Sequence, residues 1–169
     1  AAWLIGLERN ADLVIMNCYA PLFVNVNPGG MQWSTDLIGY DALNSFGSAS
    51  YWGQVMFASH IGAEVVSSTL SNAGERVYSS VTRDETAPPL LLTVVNGTSD
   101  AKPIAINVEG AKVKPQAKLI TLSGKTPNAN NSIAQPNAVI PVERAVAVAG
   151  SKFQQSFAPY SFNVLELSY

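Results

Sequence analysis

The first part of the chain alternates helical and buried-strand patterns. An apolar run with helical spacing ends near Asn10, and residues 13–19 form a short segment that is apolar on both faces. A second helical pattern, with apolar residues three and four positions apart, covers residues 50–64. A continuous apolar strand between helices is typical of a parallel sheet that helices cover on both faces. Residues 1–66 are therefore predicted to be an α/β unit.

Beyond Asn72 the helical period disappears and short β-segments follow one another. Turn residues, mainly Gly, Pro, Asn and Asp, separate these segments. The segments are residues 77–81, 90–95, 104–108, 118–122, 145–149 and 162–167. Several short strands at such spacing predict an antiparallel sandwich. Residues 67–169 are therefore predicted to be an all-β domain.

The composition is that of a globular protein. Of 169 residues, 47% are hydrophobic and 13% are charged, which suffices for one good core or two small ones. A formal charge of -2 and a pI of about 5.3 leave no basic surface, so neither nucleic acid nor a membrane is an expected partner. The first apolar run lacks both an N-cap residue and an initiator methionine. An upstream polypeptide is expected for that reason.

The chain contains one cysteine, Cys18, and one histidine, His60. Cys18 has no partner for a disulfide within the chain and, inside the apolar segment, is expected to be a buried, inert thiol. The alternative is a cysteine-dependent enzyme in which His60 activates Cys18. His60 is expected instead to be a packing or helix-surface residue. No metal site and no cofactor are expected from so few ligands.

Two acceptor sequons for N-glycosylation occur, at Asn96 and at Asn130. Both fall in stretches that read as loops, where a glycan would remain in solvent. Together they favour a secreted protein.

Seven segments carry a longer resemblance. They are residues 6–10 (GLERN), 19–23 (YAPLF), 33–36 (WSTD), 50–52 (SYW), 91–96 (LLTVVN), 137–141 (NAVIP) and 158–165 (APYSFNVL). In this order they resemble the C-terminal third of α-L-arabinofuranosidases of glycoside hydrolase family 51, especially the fungal and plant-like branch. The resemblance implies the last helix, strand and helix of a (β/α)₈ barrel, followed by a jelly-roll-like antiparallel β-sandwich.

The same resemblance implies a retaining, exo-acting enzyme that removes terminal arabinofuranosyl side chains from arabinoxylan or arabinan in hemicellulose. A retaining mechanism needs two carboxyl groups about 5 Å apart, one as nucleophile and one as general acid and base. The family supplies both from barrel strands four and seven, which would lie upstream of Ala1. This chain is therefore expected to hold no catalytic residue and to work only together with the upstream chain.

The loop after residues 13–19 is expected to face the sugar, because active sites of these barrels lie at the C-terminal ends of the strands. Trp33 can offer its indole to a furanose ring, and the amide of Gln32 can donate to and accept from hydroxyls. The alternative for Trp33 is that it packs the loop onto the barrel rim. Asp36 would either bind a sugar hydroxyl or cap the segment that follows Trp33. Asn25 is a further candidate.

A different class of function stays open. The chain could be a non-catalytic carbohydrate-binding or structural β-sandwich module with a short helical preface. That alternative accounts for residues 67–169 but leaves residues 1–66 unexplained. Binding of arabinoxylan by the isolated chain would favour it.

Overall fold

The structure, a computed structural model, describes residues 1–33, 36–84 and 88–169 and is mostly β-sheet. In the first part the described elements are α1 (Ala2–Arg9), β1 (Phe23–Asn25), β2 (Ile38–Tyr40), β3 (Ser45–Gly47), α2 (Ala49–Ser59) and β4 (Glu64–Val65). In the second part they are β5 (Val77–Arg83), β6 (Leu90–Asn96), β7 (Lys102–Asn107), β8 (Gln116–Ser123), β9 (Val142–Ala147), β10 (Lys152–Phe157) and β11 (Ser161–Leu167).

The strands form three sheets. The largest is antiparallel, with the order β4-β5-β6-β11-β8-β9, and β7 pairs with β10 in a second sheet. The third sheet has the order β1-β2-β3, in which β1 and β2 run parallel while β2 and β3 run antiparallel. The large sheet therefore places β11, the last strand in sequence, at its centre.

Both faces of the large sheet are covered, because alternate residues of its strands point to opposite sides. On one face Phe162 and Val164 pack in a cluster with Ile5 of α1 and Met56 of α2. On the other face Leu165 packs in a second cluster whose members come from the large sheet and from β7, β10 and their flanking loops. Burying a side chain of this kind contributes about 1.5–3 kcal/mol. The fold is thus a sandwich of two sheets with two helices on its outer face.

The second helix is shorter than predicted. Its N-terminus is capped by Ser48, whose hydroxyl accepts from the backbone N–H of Tyr51 at 3.1 Å. It ends at Ser59, although the helical pattern runs on to residue 64. The chain there turns to pair β4 with β5, and a Cβ at Gly62 would overlap the backbone of Arg83. Close packing against the sheet therefore ends the helix early.

The predicted strands of the second part are confirmed, with shifted ends, as β5, β6, β7, β8, β9 and β11. β10 was missed, although Phe153 and Phe157 point inwards in a half-buried alternating pattern. The turn predicted between the segments 77–81 and 90–95 lies partly outside the described residues, because residues 85–87 are not described.

The predicted strand at residues 13–19 is absent from the structure. Ile15 is 92% exposed and Met16 is 79% exposed. A strand requires a hydrogen-bonded neighbour, and no described strand pairs with this segment. For the same reason the prediction of a buried thiol is wrong, because Cys18 is exposed.

Among the described residues, no helix is long and apolar enough to cross a bilayer.

Candidate functional site

The small three-stranded sheet closes the base of a loop that carries most of the candidate residues. Ile38 donates to the carbonyl of Leu22 and Val26 donates to that of Tyr40, both at 2.9 Å. Within the parallel pair, Asn25 lies opposite Tyr40. The ends of the segment from residue 26 to residue 37 are therefore held side by side.

The tip of this loop is turned by glycine and exposes its larger side chains. Gly29 has a φ of +81°, a left-handed conformation that glycine adopts readily, and the N–H of Gly30 donates to the carbonyl of Asn27 at 2.9 Å. Gln32 is exposed and Trp33 is 63% exposed. In the described structure Trp33 therefore presents most of its surface to solvent.

Asn25 and Asp36 lie at the base of the loop rather than at its tip. The side-chain oxygen of Asn25 accepts from the N–H of Asn27 at 3.0 Å, which closes a small local turn. Asp36 is only 5% exposed, and its Oδ1 has no hydrogen-bond partner among the described residues. A buried carboxylate oxygen without a donor is costly, so Asp36 is the polar group at this base that most needs a partner.

Asp41, in the turn after β2, is occupied locally. Its Oδ1 accepts from the N–H groups of Leu43 at 2.8 Å and Asn44 at 2.7 Å. These two backbone hydrogen bonds hold the pKa of Asp41 below its ordinary value. The side chain therefore builds the turn between β2 and β3.

The other end of the small sheet is tied to the β-sandwich by Asn131. Its Nδ2 donates to the carbonyls of Gly47 at 2.7 Å and Val139 at 2.9 Å, and its Oδ1 accepts from the N–H of Val139 at 2.7 Å. Next to it, the Oδ1 of Asn130 accepts from the N–H of Ala49 at 2.7 Å. The loop of the second part therefore satisfies backbone groups at the junction of β3 and α2.

The first helix is joined to the sheet by a partly buried carboxylate. The hydroxyl of Ser80 donates to Oε2 of Glu8, and Nη1 of Arg9 donates to the carbonyl of Ser79 at 3.2 Å. Burial raises the pKa of Glu8, and the hydrogen bond from Ser80 opposes that rise. Its Oε1 has no partner among the described atoms. Glu8 is thus a structural contact of α1 with β5.

The two sequons differ sharply. Asn96 is fully buried as the last residue of β6, which contradicts the prediction that its side chain lies in a solvent-exposed loop. Its Nδ2 donates to three carbonyls, those of Asp100, Phe157 and Ala158. A glycan on that nitrogen would displace these bonds. Asn130 is exposed, and its hydrogen bonds to Ala49 and Asn131 use its Oδ1. A glycan on its Nδ2 would therefore displace neither of these bonds.

Two depressions accompany these features. One, of about 300 Å³, lies between α1, the start of α2 and residues 17–19. The other, of about 540 Å³, lies on the sandwich, and its described lining includes Lys118, Glu143, Arg144 and Glu166 but no aromatic residue. The described residues contain no group of His, Cys, Asp and Glu that could hold a metal ion.

His60 lies at the end of α2, where sequence reasoning placed a packing residue. Its Nδ1 lies 2.8 Å from the carbonyl of Met56, and its Nε2 lies 3.5 Å from Glu166. Sequence reasoning missed the contacts of Glu8 and Asn131. The contact of Glu8 with Ser80 spans 72 positions and that of Asn131 with Gly47 spans 84, and no local pattern marks either of them.

Solved structures define the class of this fold. An arabinose-bound α-L-arabinofuranosidase of glycoside hydrolase family 51, MgGH51, superposes with a TM-score of 0.88 at 29% identity, covering 98% of this chain and 26% of that one. The enzyme from Thermotoga petrophila RKU-1 gives 0.82 at 23% identity, with 96% and 36% covered, a likeness that shows the fold alone. The fold is that of the C-terminal part of family 51 enzymes.

The α-L-arabinofuranosidase C-terminal domain model matches residues 1–161, and the chain belongs to this family. Alpha-L-arabinofuranosidase 1 of Arabidopsis thaliana is 33% identical over 175 residues, which covers 99% of this chain and 25% of the relative. Alpha-L-arabinofuranosidase A of Aspergillus kawachii is 32% identical over 178 residues, with 98% and 25% covered. The chain thus spans a quarter of the length of these curated relatives.

Proposed function

We propose that the chain is the C-terminal part of a retaining, exo-acting α-L-arabinofuranosidase. The enzyme hydrolyses terminal arabinofuranosyl side chains of arabinoxylan or arabinan, and its catalytic carboxylates lie on the upstream polypeptide. One observation carries this proposal: the similarity to a plant α-L-arabinofuranosidase spans 99% of the chain, including the first 66 residues. A free-standing sandwich module would use α1 and α2 to cover its sheet, but it leaves the exposed apolar segment at residues 13–18 without a role.

In this enzyme, residues 1–66 form the last helix, strand and helix of a (β/α)₈ barrel, and residues 67–169 form a jelly-roll-like sandwich. The exposed apolar segment at residues 13–18 supports this division, because its backbone pairs with no described strand. Upstream barrel strands would supply that pairing and would bury Ile15 and its neighbours.

The loop between β1 and β2 forms one wall of the arabinose site. Trp33 offers an exposed indole to the C–H face of the furanose ring, and Gln32 offers an exposed amide to its hydroxyls. Asp36 offers to a sugar hydroxyl its Oδ1, which has no hydrogen-bond partner among the described residues, and Asn25 offers its Nδ2 beside the base of the loop. None of these residues moves a proton in the reaction.

The enzyme is secreted and carries a glycan on Asn130. The exposure of Asn130 supports this proposal, whereas the burial of Asn96 leaves one usable sequon instead of two.

The test is hydrolysis of para-nitrophenyl α-L-arabinofuranoside by the full-length enzyme, with the isolated chain as the comparison. Full-length enzyme should release arabinose, and proton NMR at early times should show the anomer with retained configuration. The isolated chain should be inactive, and a denaturing gel of any active preparation should show the upstream polypeptide. Hydrolysis by the isolated chain, or an inverted first product, would contradict the proposal.

The competing candidate is a carbohydrate-binding or structural module. Binding of arabinoxylan by the isolated chain, in the absence of any larger polypeptide, would favour it. The charged depression on the sandwich shows no aromatic lining residue in its described part, so it lacks the ring platform that sugars commonly stack on.

A further inference from the structure

A continuous set of hydrogen bonds runs from the sandwich to the base of the proposed sugar loop. Asn131 donates to the carbonyl of Gly47 at 2.7 Å, and Gly47 pairs with Ile38 across the small sheet. The adjacent Ser48 donates its N–H to the carbonyl of Leu37 at 2.8 Å. Leu37 directly follows Asp36. Two hydrogen-bonded steps, joined by the peptide bond between Gly47 and Ser48, therefore connect a sandwich side chain to the base of the loop.

The contact is rigid at both ends. Asn131 is 5% exposed and uses both N–H bonds and its oxygen, so its planar amide has one orientation. Gly47 lies so close to the ring of Tyr51 that a Cβ would overlap it. The N–H of Ala49 is held independently by Asn130. A movement of residues 130–131 would therefore displace β3 and, with it, β2.

We propose that Asn131 is a positioning residue for arabinose binding: through Gly47 and β2 it holds the loop that carries Trp33 and Asp36 in the geometry that receives the sugar. This inference rests on the proposed function. Asn131 touches no sugar itself, and it acts from the β-sandwich on a site of the barrel. The sandwich thereby takes part in substrate recognition without contacting the substrate.

The experiment uses the full-length enzyme and para-nitrophenyl α-L-arabinofuranoside. Asn131→Asp keeps the oxygen that accepts from the N–H of Val139 and leaves the sequon at Asn130 intact. It replaces by an oxygen the Nδ2 that donates to the carbonyls of Gly47 and Val139. We expect KM to rise roughly tenfold while kcat stays within about twofold, because the loop binds the ground state and the transition state alike. Asn137→Asp makes the same change at an exposed position of the same loop and should leave KM unchanged.

A purely structural role would lower Tm and the fraction of active enzyme without changing KM, and that result would overturn the proposal. If Asn131→Asp does not fold, Asn131→Ala is judged by the same two constants. A measurement on the unaltered enzyme is independent of both variants: arabinose should slow hydrogen exchange at the N–H of Val139, and no change there would also overturn the proposal.

The result separates the two levels of inference. An active enzyme whose KM is unaffected by Asn131→Asp contradicts the positioning role alone. A full-length enzyme that does not cleave the arabinofuranoside contradicts the proposed function, and the positioning role falls with it.

Discussion

At the scale of single residues, buried asparagines join parts of the chain that are far apart in sequence. Asn96 binds the carbonyls of Phe157 and Ala158, and Asn163 links Val94 with Thr121 inside the sandwich. Asn131 does the same between the sandwich and the small sheet. A buried donor or acceptor left without its partner costs about 1–3 kcal/mol, so these amides are constrained by packing as strongly as the apolar core.

Trp33 is the residue whose replacement tests the sugar loop most directly. Trp33→Ala in the full-length enzyme should raise KM for the arabinofuranoside by roughly five- to thirtyfold, because it removes the aromatic face offered to the ring. Leu43→Ala is the control, since Leu43 is 92% exposed in the neighbouring turn. Equal KM values for the two variants would show that Trp33 does not contact the sugar.

The two sequons should differ in glycosylation, because Asn130 is exposed and Asn96 is buried. Expressed in a eukaryotic secretory host, the enzyme should carry a glycan on Asn130 and none on Asn96. Asn130→Asp keeps the oxygen that accepts from the N–H of Ala49 and removes only the nitrogen that would carry the glycan. Its intact mass should fall by one glycan, whereas occupancy of Asn96 in a peptide digest would contradict the buried geometry.

At the scale of elements, α1 is held to the large sheet by an apolar contact through Ile5 and a polar contact through Glu8. The raised pKa of Glu8 means that the folded state binds its proton more tightly than the unfolded state does. The contribution of Glu8 to the free energy of unfolding is therefore greatest below the ordinary pKa of glutamate. It decreases as the pH rises through the raised pKa of Glu8 in the folded state.

Glu8→Gln should remove the loss of stability at higher pH, because an amide does not ionise and its oxygen still accepts from the hydroxyl of Ser80. The apparent Tm of the variant relative to the unaltered enzyme should be higher at about pH 7 than at about pH 4. Asp12→Asn alters an exposed carboxylate in the following turn and serves as the control. The same Tm difference at both pH values would contradict a cost of burying the charge.

The elements that the sequence predicts correctly are those with a local pattern. The end of α1 at Arg9, next to the predicted Asn10, and the strands β5, β6 and β11 follow from apolar periods and turn residues. β1, β2 and β3 have three residues each, too few to show any period. The pairing of β1 with β2 also depends on partners 15 residues apart, as between Phe23 and Ile38.

The candidate site is predictable only in part for a related reason. The exposure of Gln32 and Trp33 follows from a Gly-containing loop, which turns at Gly29 with a left-handed φ. The hydrogen bond from Asn131 to Gly47 joins residues 84 positions apart, and no local sequence pattern predicts it. The prediction at Asn96 is wrong because a tripeptide pattern does not report that β6 extends to the asparagine and buries its amide.

At the scale of the whole molecule, large apolar side chains are exposed mainly in the first part. Trp3, Leu13, Ile15 and Met16 are each at least 76% exposed. Side chains this apolar are costly in water, and in the proposed enzyme an upstream barrel would supply the surface that covers them.

Ile15→Asp tests that covering. In the full-length enzyme it should destabilise by about 3–5 kcal/mol, because an unpaired charge would be buried between barrel strands. Val142→Asp replaces a side chain that is 60% exposed on an edge strand of the sandwich and should change stability by less than about 0.5 kcal/mol. The measurement is the Tm of each variant relative to the unaltered enzyme. Two equally small shifts would show that residues 13–18 stay in solvent.

The core that joins α1 and α2 to β6, β8 and β11 also limits how this polypeptide can be exchanged between proteins. A recombination that cut after residue 66 would leave Ile120, Phe162 and Val164 without the helices that cover them. The donor gene would then encode a sheet with one bare apolar face. The sandwich can therefore be inherited or engineered only together with the two helices that precede it, and a fusion partner must accept both.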